Sequence, residues 1–142
     1  MKRNTPRALI VLVSCLPLAF LTALTPGCNK ESSVQGPAGK QLTLEKPASV
    51  TLKQGDMTEV KITIQRGNLQ EPVTVSFDKL PAGVTVVDAD KKIVGKEASY
   101  VLKAEDSAAI VSDHHAKVTA EGPDGIAVSQ TLVITIGEKS SL

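Results

Sequence analysis

The chain has 142 residues, a net charge of +1 and 22% charged residues. This length suits one domain with a single core. The near-neutral charge and the scattered lysines give no sign of the concentrated basic surface that nucleic-acid binding requires. Both cysteines, Cys15 and Cys28, lie near the N-terminus. The rest of the chain therefore holds neither an internal disulfide nor a cysteine nucleophile, and its fold depends on its core alone.

Residues 1–27 have the pattern of a bacterial export signal. Lys2, Arg3 and Arg7 form a positive start, and a mostly apolar stretch follows over 8–24. Such a segment directs export and is removed, so it does not belong to the fold. We predict a signal peptide over 1–27.

The apolar stretch ends in Leu24-Thr25-Pro26-Gly27-Cys28, after which the sequence turns polar. This ending resembles the lipobox of bacterial lipoproteins. The resemblance implies that the sulphur of Cys28 receives a diacylglyceryl thioether, that acyl chains such as palmitate are added, and that Cys28 becomes the mature N-terminus. We therefore predict a membrane attachment at the cell envelope, facing the periplasm or the exterior. Asn29, where an aspartate would resemble an inner-membrane retention signal, favours the outer membrane.

Other interpretations of this N-terminal segment remain open. Leu12-Val13-Ser14-Cys15 also fits the lipobox, and Thr25 stands where the lipobox usually has leucine. However, only about four apolar residues would precede that earlier box, where an export signal needs roughly 7 to 15. The apolar stretch is also compatible with a plain secretory signal, or with an uncleaved anchor helix at the lower limit of length for spanning a bilayer.

Residues 28–40 predict a lipidated cysteine followed by a flexible linker. Val34 is the one branched apolar residue in this segment, which is otherwise small, polar, Gly or Pro. A segment of that composition buries too little to fold by itself. Cleavage before Cys28 removes 27 of the 142 residues and leaves 115, with 13 basic residues against 15 acidic ones.

Residues 41–137 alternate between apolar and polar side chains, which predicts short strands that each bury one face. The sequence predicts seven to nine such strands and no helix, with a tail over 138–142. The apolar positions are Leu42, Leu44, Val50, Leu52, Val60, Ile62, Ile64, Val73, Val75, Phe77, Val84, Val86, Ala98, Tyr100, Leu102, Ala104, Ala116, Val118, Ala120, Ile126, Val128, Leu132, Ile134 and Ile136.

Turn residues separate these strands. Gly122-Pro123-Asp124-Gly125 predicts a hairpin connection between two alternating runs. Gln130 falls on the inward side of the last run, and a bulge near Ser129-Gln130 would remove it from the core. Short strands without room for parallel crossovers predict an all-β antiparallel sandwich.

The order of these strands resembles bacterial immunoglobulin-like and fibronectin type III-like modules of cell-surface proteins. The resemblance is carried by Pro47-Ala48-Ser49-Val50-Thr51-Leu52, by Pro72-Val73-Thr74-Val75-Ser76-Phe77, and by Leu80-Pro81-Ala82-Gly83-Val84-Thr85-Val86. It covers residues 41–137 and is similar in particular to small envelope lipoproteins of planctomycete-like bacteria. The resemblance implies an immunoglobulin-like sandwich, and such a scaffold hosts unrelated functions.

Candidate site residues are few. No serine stands in a Gly-x-Ser-x-Gly elbow, so we predict no catalytic residue, no enzymatic activity and no cofactor. Asp113, His114 and His115 form the candidate metal cluster, although adjacent strand residues point to opposite faces. Asp88 and Asp90 could place two further carboxylates on one side of an extended stretch, but a solvated turn is the simpler interpretation of these two residues. Phe77 and Tyr100 both fall on inward positions, which argues against an exposed aromatic platform for sugars.

The sequence thus predicts a non-enzymatic, lipid-anchored immunoglobulin-like module at the bacterial cell envelope. Its predicted partners are the membrane, through the N-terminal lipid, and an envelope or extracellular protein, with no nucleic acid. Loops at the sandwich ends or an exposed edge strand would make the protein contact. The alternative function is ligand or metal binding in the region of His114 and His115.

Overall fold

The computed structural model describes residues 31–141. The predicted signal peptide and Cys28 lie outside this range. The described chain forms ten strands, and short 3-10 turns at Pro37–Gly39 and Pro123–Gly125. The strands are β1 (Glu31–Gln35), β2 (Gln41–Glu45), β3 (Val50–Lys53), β4 (Met57–Gly67), β5 (Val73–Asp78), β6 (Val84–Val86), β7 (Lys92–Ile93), β8 (Glu97–Ala104), β9 (Val111–Glu121) and β10 (Ala127–Gly137).

Two five-stranded sheets pack face to face. The first has the order β1-β2-β4-β8-β6 and the second the order β3-β10-β9-β5-β7. All neighbours are antiparallel except β3 and β10, which run parallel. Four strands of the first sheet (β2, β4, β8, β6) and three of the second (β5, β9, β10) reproduce the four-plus-three arrangement of the immunoglobulin fold.

The predicted all-β immunoglobulin-like sandwich is therefore confirmed. The strand count exceeds the predicted seven to nine because β1 and the two-residue β7 have no alternating apolar pattern. No helix among residues 31–141 has the length and hydropathy needed to cross a bilayer.

The core lies between the two sheets and consists of the inward side chains of alternating strand positions. Tyr100, Leu42, Leu44, Ile62 and Ile64 are among its largest fully buried members. Both sheets contribute to one continuous apolar cluster. Alternation along the sequence thus marked most of the core. It missed three buried residues, Leu69, Ile93 and Ala108. Four predicted positions are only partly buried, namely Val50, Phe77, Val86 and Ala98.

Gln130 stays in the sandwich, and the predicted bulge near Ser129-Gln130 is wrong. Gln130 pairs in register with Val118, and the irregularity in β10 falls between Ile134 and Ile136 instead. The half-buried Gln130 side chain donates from Nε2 to the carbonyl oxygen of Leu44 in the facing sheet, at 3.3 Å. A partner across the core satisfies the amide, so no bulge is needed to expel it.

The prediction of a flexible linker is wrong for residues 31–40. Strand β1 pairs antiparallel with β2, with Glu31 opposite Glu45 and Gln35 opposite Gln41. Its half-buried Val34 packs against the core. Composition misled here because a strand added to an existing edge gains main-chain hydrogen bonds and needs little apolar surface of its own.

The hairpins β1–β2 and β9–β10 close with the same turn. Gly36-Pro37-Ala38-Gly39 and Gly122-Pro123-Asp124-Gly125 each begin with Gly-Pro and place their last two residues at positive φ. In both, the first glycine donates to the carbonyl oxygen four residues ahead at 2.8 Å. The predicted hairpin at Gly122 is thus confirmed, and the chain contains a second copy of it.

Candidate interaction surface

The predicted lipidation site, Cys28, lies outside residues 31–141, so the structure does not bear on its modification. The sites that follow are assembled from the described part of the chain.

The predicted metal cluster at Asp113, His114 and His115 is not brought together. His114 turns its Nε2 to the carbonyl oxygen of Lys79, at 2.7 Å, while His115 is exposed at the next strand position. Asp113 has a φ of 49°, and its backbone N–H donates to Thr135 Oγ1 at 3.2 Å. Within residues 31–141 no group of three or more His, Cys, Asp or Glu side chains could hold a metal ion.

The two aromatic residues of the sandwich face the core, as their inward positions predicted. Tyr100 is fully buried and contacts the half-buried Phe77 edge to face, with ring centroids 5.3 Å apart. Its hydroxyl donates to the carbonyl oxygen of Lys91 at 2.8 Å. Burial, with a smaller contribution from the Asp88 carboxylate, raises the pKa of Tyr100 to about 12. Tyr100 is thus a core residue and not a sugar platform.

The hairpin turns meet at one end of the sandwich. Lys40 Nζ lies 2.7 Å from Asp124 Oδ2 and 3.3 Å from Glu71 Oε1, which ties both turns to the β4–β5 loop. The hydrogen bond to Asp124 raises the pKa of Lys40, and its own backbone amide together with Lys40 lowers the pKa of Glu71. The single Lys40 ammonium bridges two carboxylates, so it links both turns to the β4–β5 loop and leaves one net negative charge on these three groups.

A depression of about 650 Å³ lies beside the end of β4 and residues 94–96. The Arg66 guanidinium occupies its wall and donates to the carbonyl oxygens of Glu71, at 2.9 Å, and Ile93. This cation therefore holds the neighbouring loop and strand in place and is engaged within the chain.

The β5–β6 groove lies on the open side of the sandwich, where the edges of the two sheets face each other. The groove has a volume of about 450 Å³. Its apolar walls include Phe77 and Leu80 on one side and Val84 and Val86 on the other. Val87, directly after β6, is 60% exposed. The groove is a mainly apolar concavity that opens between two strand edges.

Both strands that border the β5–β6 groove have free edges. In the described chain, β7 pairs only with Val73 and Thr74, so the remainder of β5 has no neighbour on that side. Strand β6 pairs with β8 alone. The N–H of Glu105 donates to the carbonyl oxygen of Gly83, and the N–H of Val87 donates to that of Val101. Along an antiparallel pair, residues that bond to the neighbouring strand alternate with residues that do not. By that alternation the N–H and C=O of Val86 point away from β8, towards the open side.

Sequence reasoning did not locate this groove. Alternation identified Val84, Val86 and Phe77 as inward residues, but it does not tell which strands end up at the sheet edges. The available signals were the brevity of the run Val84–Val86 and the Leu80-Pro81-Ala82-Gly83 segment before it, which are typical of an edge strand.

No family model matches the chain. No curated protein matches it either. Among solved structures, the chain is similar to a chimeric titin Z1Z2 carrying an exogenous decorin peptide, at 16% identity and a TM-score of 0.41, over 69% of this chain and 95% of that one. It is similar to the BIgI domain of beta protein from S. agalactiae bound to CEACAM1, at 16% identity and a TM-score of 0.40, over 71% and 99%. Tandem immunoglobulin repeats of Dlar align at 16% identity and a TM-score of 0.43, over 78% of this chain and 50% of that one.

Proposed function

We propose that this chain is a lipid-anchored, non-enzymatic interaction module of the bacterial cell envelope, which binds an extended segment of another protein at the β5–β6 groove. The observation that carries the binding function is the combination of free strand edges with an apolar groove between them. Edge strands recognise partners by adding an extended segment, whose main chain gives affinity and whose alternate side chains give specificity.

The groove suits such a segment in two respects. The outward N–H and C=O of Val86 offer main-chain hydrogen bonds to a strand laid beside β6. Phe77, Leu80 and Val84 offer an apolar surface to those partner side chains that point inward. Every second residue of the partner would therefore be apolar.

The anchor is supported by the sequence before the sandwich. The positive start, the apolar stretch and the ending at Cys28 together are typical of a lipoprotein export signal. We place the module at the outer membrane, facing the periplasm or the exterior, on the basis of Asn29.

Site-specific photocrosslinking in intact cells tests the binding surface. A photoreactive amino acid replaces Thr85 or Ser76, which line the groove, and in matched controls it replaces Lys61 or Lys117, which are exposed on the faces of the two sheets. We expect the groove positions to give an adduct with one common protein, identified by mass spectrometry, that the controls do not give. Equal adducts from all four positions would contradict recognition at the groove.

Intact mass spectrometry of the membrane-extracted protein, beside a Cys28→Ala variant, tests the anchor. We expect a species that begins at Cys28 and carries added lipid mass, and we expect the variant to lack it. A mature protein of unmodified mass in the medium would contradict the anchor and would show that the module is secreted without lipid.

A further inference from the structure

Strand β1 determines where the N-terminal segment leaves the sandwich. The chain enters at Glu31, opposite Glu45, and runs to Gln35 at the β1–β2 turn. Four residue steps of a strand place Glu31 about 14 Å from the level of that turn. Without β1, the chain would leave from the beginning of β2, at the end of the sandwich where the hairpin turns meet.

Glu31 also lies well short of the opposite end. Leu44 pairs with Ile64, so Glu45 and Glu31 lie at about the level of Thr63 on β4. From Thr63, strand β4 continues back to Met57 over six residue steps, which is about 20 Å. The point of entry is therefore on the flank of the sandwich, between its two ends.

The distance from Glu31 to the proposed lipid is short. Only Asn29 and Lys30 separate Glu31 from Cys28, and three residue steps span at most about 11 Å when fully extended. Cys28 therefore reaches neither the level of the β1–β2 turn nor that of Met57. A lipid attached to Cys28 is therefore tethered within about 11 Å of Glu31, on the flank that carries β1.

The β5–β6 groove lies on the opposite flank. In the first sheet β1 and β6 form the two outermost strands, separated by four strand spacings or about 19 Å. Strand β1 also lies next to β10, at the side of the second sheet where β3 is the edge. The flank of β1 and β3 and the flank of β5 and β6 thus face in opposite directions.

From this geometry we infer that the anchor holds the sandwich on its side, with the β1–β3 flank against the lipid surface and the β5–β6 groove turned away from it. The inference rests on the proposed N-terminal anchor and adds an orientation to it. The long axis of the domain then runs along the membrane surface, and a partner reaches the groove from the side away from the bilayer.

Energy transfer to labelled lipid tests this orientation. The full chain, processed in cells and extracted from membranes, is reconstituted into phosphatidylcholine–phosphatidylglycerol vesicles that contain a headgroup-labelled acceptor lipid. Single cysteines for the donor dye replace Thr51 on β3, Thr85 on β6, Gln70 at the end with the hairpin turns, or Ser107 at the other end; all four residues are exposed. The thioether on Cys28 does not react with the dye.

We expect the greatest energy transfer from Thr51, the least from Thr85, and intermediate transfer from Gln70 and Ser107. The matched control inserts about twenty Gly and Ser residues between Lys30 and Glu31, which makes the tether flexible and should abolish the differences. If Gln70 or Ser107 shows the least transfer, the domain stands on one end and the orientation is wrong. If the protein does not co-float with the vesicles, the chain has no lipid anchor, and the proposals of both the anchor and the orientation are wrong.

Discussion

Tyr100 shows how one residue reports on the core. It is the single tyrosine of the chain, its ring is fully buried against Phe77, and its hydroxyl donates to Lys91. Its inward position was predictable from the alternation of Ala98, Tyr100 and Leu102. The partner of its hydroxyl was not, because Lys91 belongs to a turn whose path depends on both sheets.

Ionisation of Tyr100 should require strongly alkaline pH or unfolding. Burial raises its pKa from 10.0 to about 12 in the folded chain. The stability that comes from burying the neutral phenol is therefore complete below pH 10 and is lost as the pH rises from 10 through about 12. Ultraviolet absorbance of tyrosinate measures this directly, with the chain in denaturant as the control. Titration of the native protein near pH 10 would show that Tyr100 is solvated.

Among the glycines within residues 31–141, Gly83 is the one where a side chain should be tolerated least. Its φ is 80°, and a Cβ there would lie 2.7 Å from Ala108 Cα. Gly125 is the matched control, because its φ is 73° but a Cβ would meet nothing within 4 Å. We expect Gly125→Ala to lower the free energy of unfolding by about 1 kcal/mol through backbone strain alone. Gly83→Ala adds the clash and should cost about 3 kcal/mol or more, measured by denaturant unfolding. Equal losses would mean that the Gly83–Ala108 contact relaxes freely.

At the scale of elements, the repeated Gly-Pro-x-Gly turn is the signal that sequence reasoning overlooked. The pattern at Gly122 predicted a hairpin correctly, and the same pattern at Gly36 joins β1 to β2. Composition alone made residues 28–40 a linker. Recognition of the second turn would have predicted that the chain before it pairs with β2.

Docking of the β1–β2 hairpin should depend on the absence of a side chain at Gly36. A Cβ at this position would overlap the side chain of Ile126 in the other hairpin turn. We expect Gly36→Val to loosen β1 and to increase amide hydrogen exchange of Ser32, Ser33 and Val34, with little change in β9. Gly95→Val is the control, because a Cβ there meets nothing within 4 Å. Unchanged protection of β1 in Gly36→Val would show that Ile126 moves aside without cost.

At the scale of the whole molecule, one apolar core between two sheets holds the fold together. The chain has no cysteine after Cys28, so the sandwich folds without the inter-sheet disulfide of antibody domains. Burial of apolar side chains is the main favourable contribution to the free energy of folding, at about 1.5 to 3 kcal/mol for each large side chain.

Thermal unfolding should therefore be a single cooperative transition that does not respond to reductant. We expect the same Tm with and without dithiothreitol, recorded by circular dichroism at several protein concentrations. A lower Tm in reductant would indicate an unmodified Cys28 thiol that forms a disulfide between two copies of the chain, which mass spectrometry under non-reducing conditions would detect.

The sequence by itself determined the all-β class, the alternating core and most strand positions, because burial of one strand face imposes a period of two that is readable locally. It also predicts an export signal and lipidation at Cys28, because both predictions rest on local motifs. Only the tertiary structure decided that Gln130 bonds across the core, that Asp113, His114 and His115 do not converge, and that β1 joins the first sheet. It alone placed the β5–β6 groove opposite the N-terminal flank. These features depend on strand order and on contacts between distant residues, which a local pattern of side chains does not encode.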